Sequence, residues 1–444
     1  MKLHELIGGS LLGQRLRART QRSAEPENGL PRPAKQLIAL CKMLLSERGE
    51  SSGERIAAEA IEAYRALDEA ALTIFFDLLI QQFSPNADEV AQAAEAYRKD
   101  ASPQALAHLQ DVVEPPRQPL FRRLNMAPGG TQALVSMRAQ LLARLERHPE
   151  WAPIEADLQH LLSSWFNRGF LELRRIDWST PAIILEKLIE YEAVHEIQGW
   201  QDLRRRLEAD RRCYAFFHPA LKDEPIIFVE VALTRGMSGR VQPLLDLKAP
   251  VLDPKAANCA MFYSITNCQE GLRGVPLGSF LIKKVAEDIG RELRYVRTFA
   301  TISPVSGLRE WLEGLAPQHP EIAALVSKLS ANASGPAIEK ELVSLCAFYL
   351  LHVRHGKKPT DPVARFHLRN GARLDRINWH GDTSSAGLER SFGLMVNYVY
   401  RLADVERNHE MYMKEYKIAC SREVDSLAKQ SLLARPAGPV PVEK

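Results

Sequence analysis

The chain has 444 residues, 45% hydrophobic and 25% charged, the make-up of a soluble globular protein of two or three domains. Its 58 basic and 55 acidic residues leave a net charge of +3, too balanced for a nucleic-acid binder, and no apolar run approaches the ~18 residues of a membrane span. Six cysteines include no C-x-x-C pair, which argues against a structural zinc site.

The first thirty residues are polar and basic and close in a linker with Pro26, Gly29, Pro31 and Pro33. They lack a continuous apolar core and a cleavage site, so they read as a helical or frayed start of a cytoplasmic protein rather than a targeting segment. From Lys35 to about Arg168 the pattern is helical, with apolar stripes such as Ile56, Ile61, Tyr64 and Leu67, then Leu72, Phe75, Phe76 and Leu79. Breaks at Ser84-Pro85, Ser102-Pro103, Pro115-Pro116, Pro128-Gly129-Gly130 and His148-Pro149 divide it into roughly six to eight helices. His108, His148 and His160 stand alone there, and no catalytic cluster accompanies them. This part, residues 1–170, reads as a scaffold or oligomerisation domain.

After about Gly169 the composition changes. Trp178 to Val194 predicts a helix with Ser179 or Thr180 as N-cap and Pro181 first, and Gln201 to Glu208 a second, basic one. Arg211 to His218 and Ile226 to Thr234 predict strands, the second so apolar that it should be central and covered on both faces. Asn258 to Ser306 then reads as strand, glycine-bearing loop, amphipathic helix and strand. Cys259–Thr266 is the first strand, the loop runs from Gly271 to Ser279, and apolar positions recur from Leu277 through Ile289. Tyr295 to Ile302 is the second strand, ended by Ser303-Pro304. Such a loop before a helix N-terminus leaves N–H groups free for an anion, phosphate above all, and Arg273, Lys283 and Lys284 add charge. The pattern is neither Walker A nor G-x-G-x-x-G, and an ordinary crossover turn fits it equally well. Helices follow at Gly307–Leu315, Ile322–Leu329 and Ile338–His355. Then come a basic loop, His355 to Pro359, and the run Arg365 to Ala372. Leu374 to Trp379 precedes a helix over Ala386–Leu402, and a Pro-rich disordered tail begins at Arg435.

Ser303 sits where a strand ends, the edge at which open α/β sheets gather ligands, although most serines so placed only cap turns. His367, beside Asn370-Gly371, has the residue type for proton transfer, but a lone histidine in such a run more often sits satisfied in a core. No G-x-S-x-G elbow exists, and His352 and His355 lack the surroundings of a metal site. Tyr398 and Tyr400, at the end of a helical pattern, read as packing residues.

Several blocks in order resemble malonyl-CoA decarboxylases. They are ILEKLIEYEAVHEI (184–197), RRCYAFFHP (211–219), FVEVALT (228–234), CAMFYSITNCQEGLRGVPLGSFLIKKV (259–285), TFATISPVSGLREWL (298–312), FHLRNGARLDRINW (366–379) and GLMVNYVY (393–400). The resemblance implies an α+β protein: an all-helical domain, residues 1–170, before a GNAT-like mixed α/β catalytic domain, residues 171–434. It implies conversion of malonyl-CoA to acetyl-CoA and CO2 without a cofactor or metal, in a homo-oligomer, dimer or tetramer. The family's CoA loop falls on Arg273, Gly274, Val275, Pro276, Leu277, Gly278 and Ser279, its catalytic pair on Ser303 and His367, and a nearby tyrosine on Tyr400. Pro276 stands where some relatives carry glutamate. An acyl-CoA-dependent acyltransferase and a non-catalytic CoA-binding assembly protein are the alternatives on the same fold.

Overall fold

The computed structural model describes residues 31–46, 48–275, 277 and 281–434. The expectations for the first thirty residues, for Pro276, Gly278 and Ser279, and for the tail from Arg435 lie outside the described residues. The chain divides into two compact units, one up to Leu162 and one from Ser163. Among the described residues no helix is long and apolar enough to cross a membrane.

Between Arg32 and Trp165 the described chain forms eight α-helices, as its Ala- and Leu-rich stripes require. Ile56, Ile61, Tyr64, Leu72, Phe75, Phe76 and Leu79 are all buried, with Leu67 half-buried. Asp68, Asn86 and Ser102 cap helices by accepting from backbone N–H groups of the first turn. Two helices depart from the pattern. Ala87–Lys99 buries Ala93 alone, and Pro103–Val113 buries nothing, leaving Leu106 and Val113 exposed.

The second unit is built on a mixed sheet. Its strands are β1 (Glu172–Ile176), β2 (Arg211–Phe217), β3 (Pro225–Thr234), β4 (Cys259–Asn267), β5 (Thr298–Thr301) and β6 (Ser303–Pro304). A hairpin follows, β7 (Arg354–His355) and β8 (Lys358–Pro359), then β9 (Arg373–Asn378) and β10 (Met395–Val399). The order is β1-β2-β3-β4-β5-β10-β6, with β9 also pairing β10. β3 is central and almost wholly buried, as its apolar run requires. Helices Ala182–Tyr191 and Trp200–Arg206 cover one face, where Ile184, Leu185, Leu188 and Leu203 pack on Cys213, Ala215 and Phe228.

Only β4 and β5 among these pairs run parallel. They pair from Cys259–Thr298 to Phe262–Thr301, and the Ile302 N–H donates to the Phe262 carbonyl at 2.9 Å. Beyond that bond they part: β4 continues along β3, while Ser303 pairs with Val396 of β10. At the fork β4 carries an irregularity. Glu230 faces Ser264 and Val231 faces Phe262, so Tyr263 has no opposite number. An extra residue bends a strand, and here the bend opens a cleft between β4 and β6.

Several expectations need correction. The helix at residue 178 begins at Ala182, with Pro181 as its N-cap and no side-chain cap. Thr180 and Ser179 instead close a turn on Asp177. The strand expected from Tyr295 starts at Thr298, because residues up to Val296 turn back on the preceding helix. Ser303-Pro304 does not end pairing but forms β6. The basic loop is the β7–β8 hairpin. The helix expected over Ala386–Leu402 stops at Ser391, where Phe392 and Gly393 take positive φ, and the rest is strand β10. His367 lies on a helix, Pro362–Arg369, that the reading of the sequence did not include.

Candidate active site

The cleft between β4 and β6 is a cavity of about 410 Å³. Ser303 enters it from the first residue of β6. Its Oγ donates to Thr301 Oγ1 at 2.8 Å and lies 2.9 Å from His367 Nε2. His367 is delivered by helix Pro362–Arg369. Asp361 caps that helix by accepting from the Ala364 N–H at 2.6 Å, and Pro362 occupies its first turn. Gly371 ends it at φ +80°, where a Cβ would come within 2.1 Å of the Val405 carbonyl oxygen. No other residue fits there without displacing the backbone.

On its other side the imidazole meets β10. His367 Nδ1 lies 2.8 Å from the Tyr400 hydroxyl, and the ring stacks on Tyr398 with centroids 4.5 Å apart and planes at 23°. Tyr398 and Tyr400 are two positions apart on an extended chain, hence on one face. The Tyr400 N–H donates to the Phe299 carbonyl at 2.8 Å, which fixes it against β5. Asn397, just before Tyr398, donates to the Thr301 carbonyl at 2.7 Å and locks the base of the fork.

Thr301, Ser303, His367, Tyr398 and Tyr400 are all buried. Burial pushes the His367 imidazole down to about 3, well below the 6.5 expected of a free side chain, so it is neutral at pH 7. Burial likewise pushes the Tyr400 phenol well above its ordinary value, so it keeps its proton. A protonated phenol donates to Nδ1, which leaves the imidazole proton on Nε2, facing Ser303. The result is one directed chain of donors: Tyr400, His367, Ser303, Thr301.

The cavity walls are largely apolar, including Phe262, Ile265, Ile302, Val363 and Phe366. Among the loop residues, Gly274, Val275 and Leu277 line the same cavity as Ser303 and His367. Arg273 is exposed, does not line it, and sits 3.8 Å from Glu270. Lys283 is not free for a ligand either, since it bonds Glu406 at 2.6 Å and lies 3.6 Å from Glu287. Sequence reasoning missed Thr301, Tyr398 and Asp361. It also missed Glu192, whose carboxylate accepts from Ser264 Oγ on the cavity wall at 2.8 Å and from the N–H groups of Val194 and His195. The Y-x-Y spacing of Tyr398 and Tyr400 was the one usable signal. Arg369 is exposed and also lines the cavity.

A forked mixed sheet with a buried hydroxyl–imidazole–phenol chain in an apolar cavity, following an all-helical unit along the chain, defines the class: an α+β protein with a hydrogen-bonded donor chain held away from bulk water. Family models identify which one. The malonyl-CoA decarboxylase C-terminal domain matches residues 169–437 and the malonyl-CoA decarboxylase N-terminal domain residues 83–166. The chain is 34% identical to the mitochondrial malonyl-CoA decarboxylase of Anser anser anser, over 86% of this chain and 85% of that protein. It is 33% identical to that of Rattus norvegicus, over 87% and 88%. Its structure is similar to the crystal structure of malonyl-CoA decarboxylase from Rhodopseudomonas palustris, with TM-score 0.84, 47% identity, and coverage of 89% of this chain and 100% of that one. The enzyme from Agrobacterium vitis gives 0.82, 46%, 88% and 99%. The chain belongs to the malonyl-CoA decarboxylase family.

Proposed function

We propose that this protein is a carboxy-lyase that converts malonyl-CoA to acetyl-CoA and CO2 with Ser303 and His367 as its catalytic pair. The observation that carries the assignment is the 2.9 Å contact between Ser303 Oγ and His367 Nε2, inside the cavity that Gly274, Val275 and Leu277 also line. The loop Arg273 to Ser279, before helix Leu281–Glu292, is the proposed seat of the CoA handle; the N–H groups of Arg273, Val275 and Leu277 already donate to the carbonyls of Glu270, Leu272 and Val275, so they are not the phosphate donors. The malonyl arm then enters the cavity, where apolar walls strip water from its carboxylate.

The chemistry needs one proton and a place for one electron pair. The buried carboxylate favours the charged imidazole, so His367 takes up a proton from solvent as substrate binds. The bond between C2 and the carboxylate breaks, CO2 leaves, and the electron pair forms the thioester enolate. Ser303 gives its hydroxyl proton to C2 and regains one from His367 Nε2, which returns to neutral. One proton is consumed for each CO2 released, and no cofactor is required. Tyr400 holds the ring from Nδ1, accepting from it while it is charged. Hydrogen bonding to a developing oxyanion and a placed acid are each worth roughly 10²–10⁴-fold.

The helical unit is read as an oligomerisation domain. Helices Ala87–Lys99 and Pro103–Val113 bury only Ala93, which supports a role in assembling a dimer or tetramer. The reading keeps the protein in the cytoplasm. All six cysteines are free, as a reducing compartment allows; fractionation of cells tests it. The activity is tested by following acetyl-CoA formation from malonyl-CoA. His367→Asn should lose about 10²-fold or more, and wild-type turnover in that variant would remove His367 from the mechanism.

A further inference from the structure

A second cavity, of about 690 Å³, lies at the other end of helix Leu281–Glu292. Leu281, at the helix start, lines the catalytic cavity, whereas Glu287, Gly290 and Arg291 line this one. Ten residues of α-helix separate Leu281 from Arg291, a rise of ~15 Å. Three arginines converge here, Arg291, Arg294 and Arg297, against one carboxylate, Glu287. Glu287 already lies 3.6 Å from Lys283, and Arg291 is 3.3 Å from Asp288. Arg294 and Arg297 are exposed, and among the described residues neither side chain has an ion-pair or hydrogen-bonding partner. Arg291 lies in the last turn, where a cation offsets the helix dipole; Arg294 and Arg297 lie beyond it, so that role does not account for them. The remaining wall is apolar, with Val296, Phe299 and Leu402. Gly290 keeps the groove open beside the buried Phe299 ring, since a Cβ there would sit 3.5 Å from Phe299 Cζ.

We propose that this groove binds a nucleoside phosphate. Guanidinium forks match phosphate oxygens two bonds at a time, and two or three of them suit a multiply charged phosphate better than a single carboxylate. The apolar wall suits a base and ribose, and the volume falls within the ~300–1,000 Å³ of small-molecule sites. The same chemistry could come from a free nucleotide or from the nucleotide end of a second CoA molecule. The argument does not rest on the decarboxylase reading.

The test is an equilibrium titration of the intact protein with ADP while saturating acetyl-CoA fills the catalytic cavity. One ADP per chain should still bind where a free nucleotide is the occupant, with adenosine and inorganic phosphate each at least about tenfold weaker; where the CoA handle is the occupant, acetyl-CoA should instead bind at two equivalents and exclude ADP. Arg294→Gln with Arg297→Gln should weaken ADP by about a hundredfold, roughly tenfold for each charged hydrogen-bonding partner lost. Turnover of malonyl-CoA should be unchanged. A parallel titration with desulfo-CoA distinguishes the sources: two equivalents per chain, one of them lost in the double variant, identifies the CoA handle as the occupant. ADP binding abolished by acetyl-CoA while desulfo-CoA binds at a single equivalent per chain, ADP binding unaffected by the double variant, or a changed oligomeric state in that variant with no ADP binding to the parent would each overturn the proposal. The ADP readout needs no turnover, so an inactive protein would sink the proposed reaction and leave this test intact.

Discussion

Substrate binding should carry a proton into the site, and the amount can be worked out. Burial holds the free His367 imidazole at about 3. Relative to an ordinary imidazole at ~6.5, that is a cost of ~5 kcal/mol for the charged form. A carboxylate ~4 Å from the ring, in surroundings of effective dielectric ~20, returns ~4 kcal/mol, close to a thousandfold in the protonation equilibrium. The occupied site should therefore titrate near ~6. The assay is calorimetric titration in two buffers of different ionisation enthalpy. The ligand is a malonyl-CoA analogue with sulfonate in place of the carboxylate, which keeps the charge and cannot lose CO2. Acetyl-CoA serves as the control for protons moved by the CoA phosphates. At pH 6 the analogue should take up about half a proton per site more than acetyl-CoA, and at pH 7 about a tenth. The difference should vanish in His367→Asn. Equal uptake by both ligands at pH 6, or an unchanged difference in that variant, would refute the claim that a buried neutral imidazole is charged by its substrate.

Ser303→Ala should lower kcat by roughly 10²–10⁴-fold with acetyl-CoA affinity nearly unchanged, measured by steady-state kinetics and product binding. Tyr400→Phe leaves Nδ1 without its partner in a buried site, so it should cost about 1–3 kcal/mol in thermal or denaturant unfolding and lower kcat as well. Folded-state values of about 3 for His367 and about 4 for His195 mean that the unfolded chain binds more protons below pH ~6.5. Stability should therefore fall as pH drops from ~6.5 towards those values, by about 2 kcal/mol at pH 5 for each histidine, and His367→Asn should flatten that acid limb. Gly371→Ala should destabilise by about 2–4 kcal/mol in urea unfolding, because its Cβ meets the Val405 carbonyl rather than a movable side chain.

Where local chemistry decides structure, the sequence was easy to read. Apolar stripes at helical spacing specified the helical unit, and continuous apolar runs specified β3 and β4, because burial on a given face follows directly from residue periodicity. Helix Pro362–Arg369 was legible but overlooked. Asp361-Pro362 is an N-cap followed by a first-turn proline, and Asn370-Gly371 is an ending signal, yet the histidine within drew attention away from its flanks. Ser303 was placed by the end of a strand, but its pairing with β10 could not be read, since strand partners are chosen by the whole sheet. The neutral state of His367 was also out of reach, because desolvation depends on Tyr398, Tyr400 and the cavity walls closing around the ring.

The misread segment Ala386–Leu402 shows why the site as a whole stayed hidden. On a helix, residues two apart project about 200° from one another, so Tyr398 and Tyr400 could not both meet one imidazole. On a strand they share a face, and both do: one carries the ring, the other holds Nδ1. The choice between the two conformations rests on Phe392 and Gly393, whose left-handed backbone stops the helix, and on the β-branched and aromatic residues that follow. Once β10 is a strand, it has to lie between β5 and β9, and that insertion carries Tyr400 to His367 and Val396 to Ser303. The hydrogen-bonded chain is thus a consequence of one secondary-structure choice some distance from Ser303 and His367, which is why residue type nominated those two while the geometry that joins them had to come from the fold.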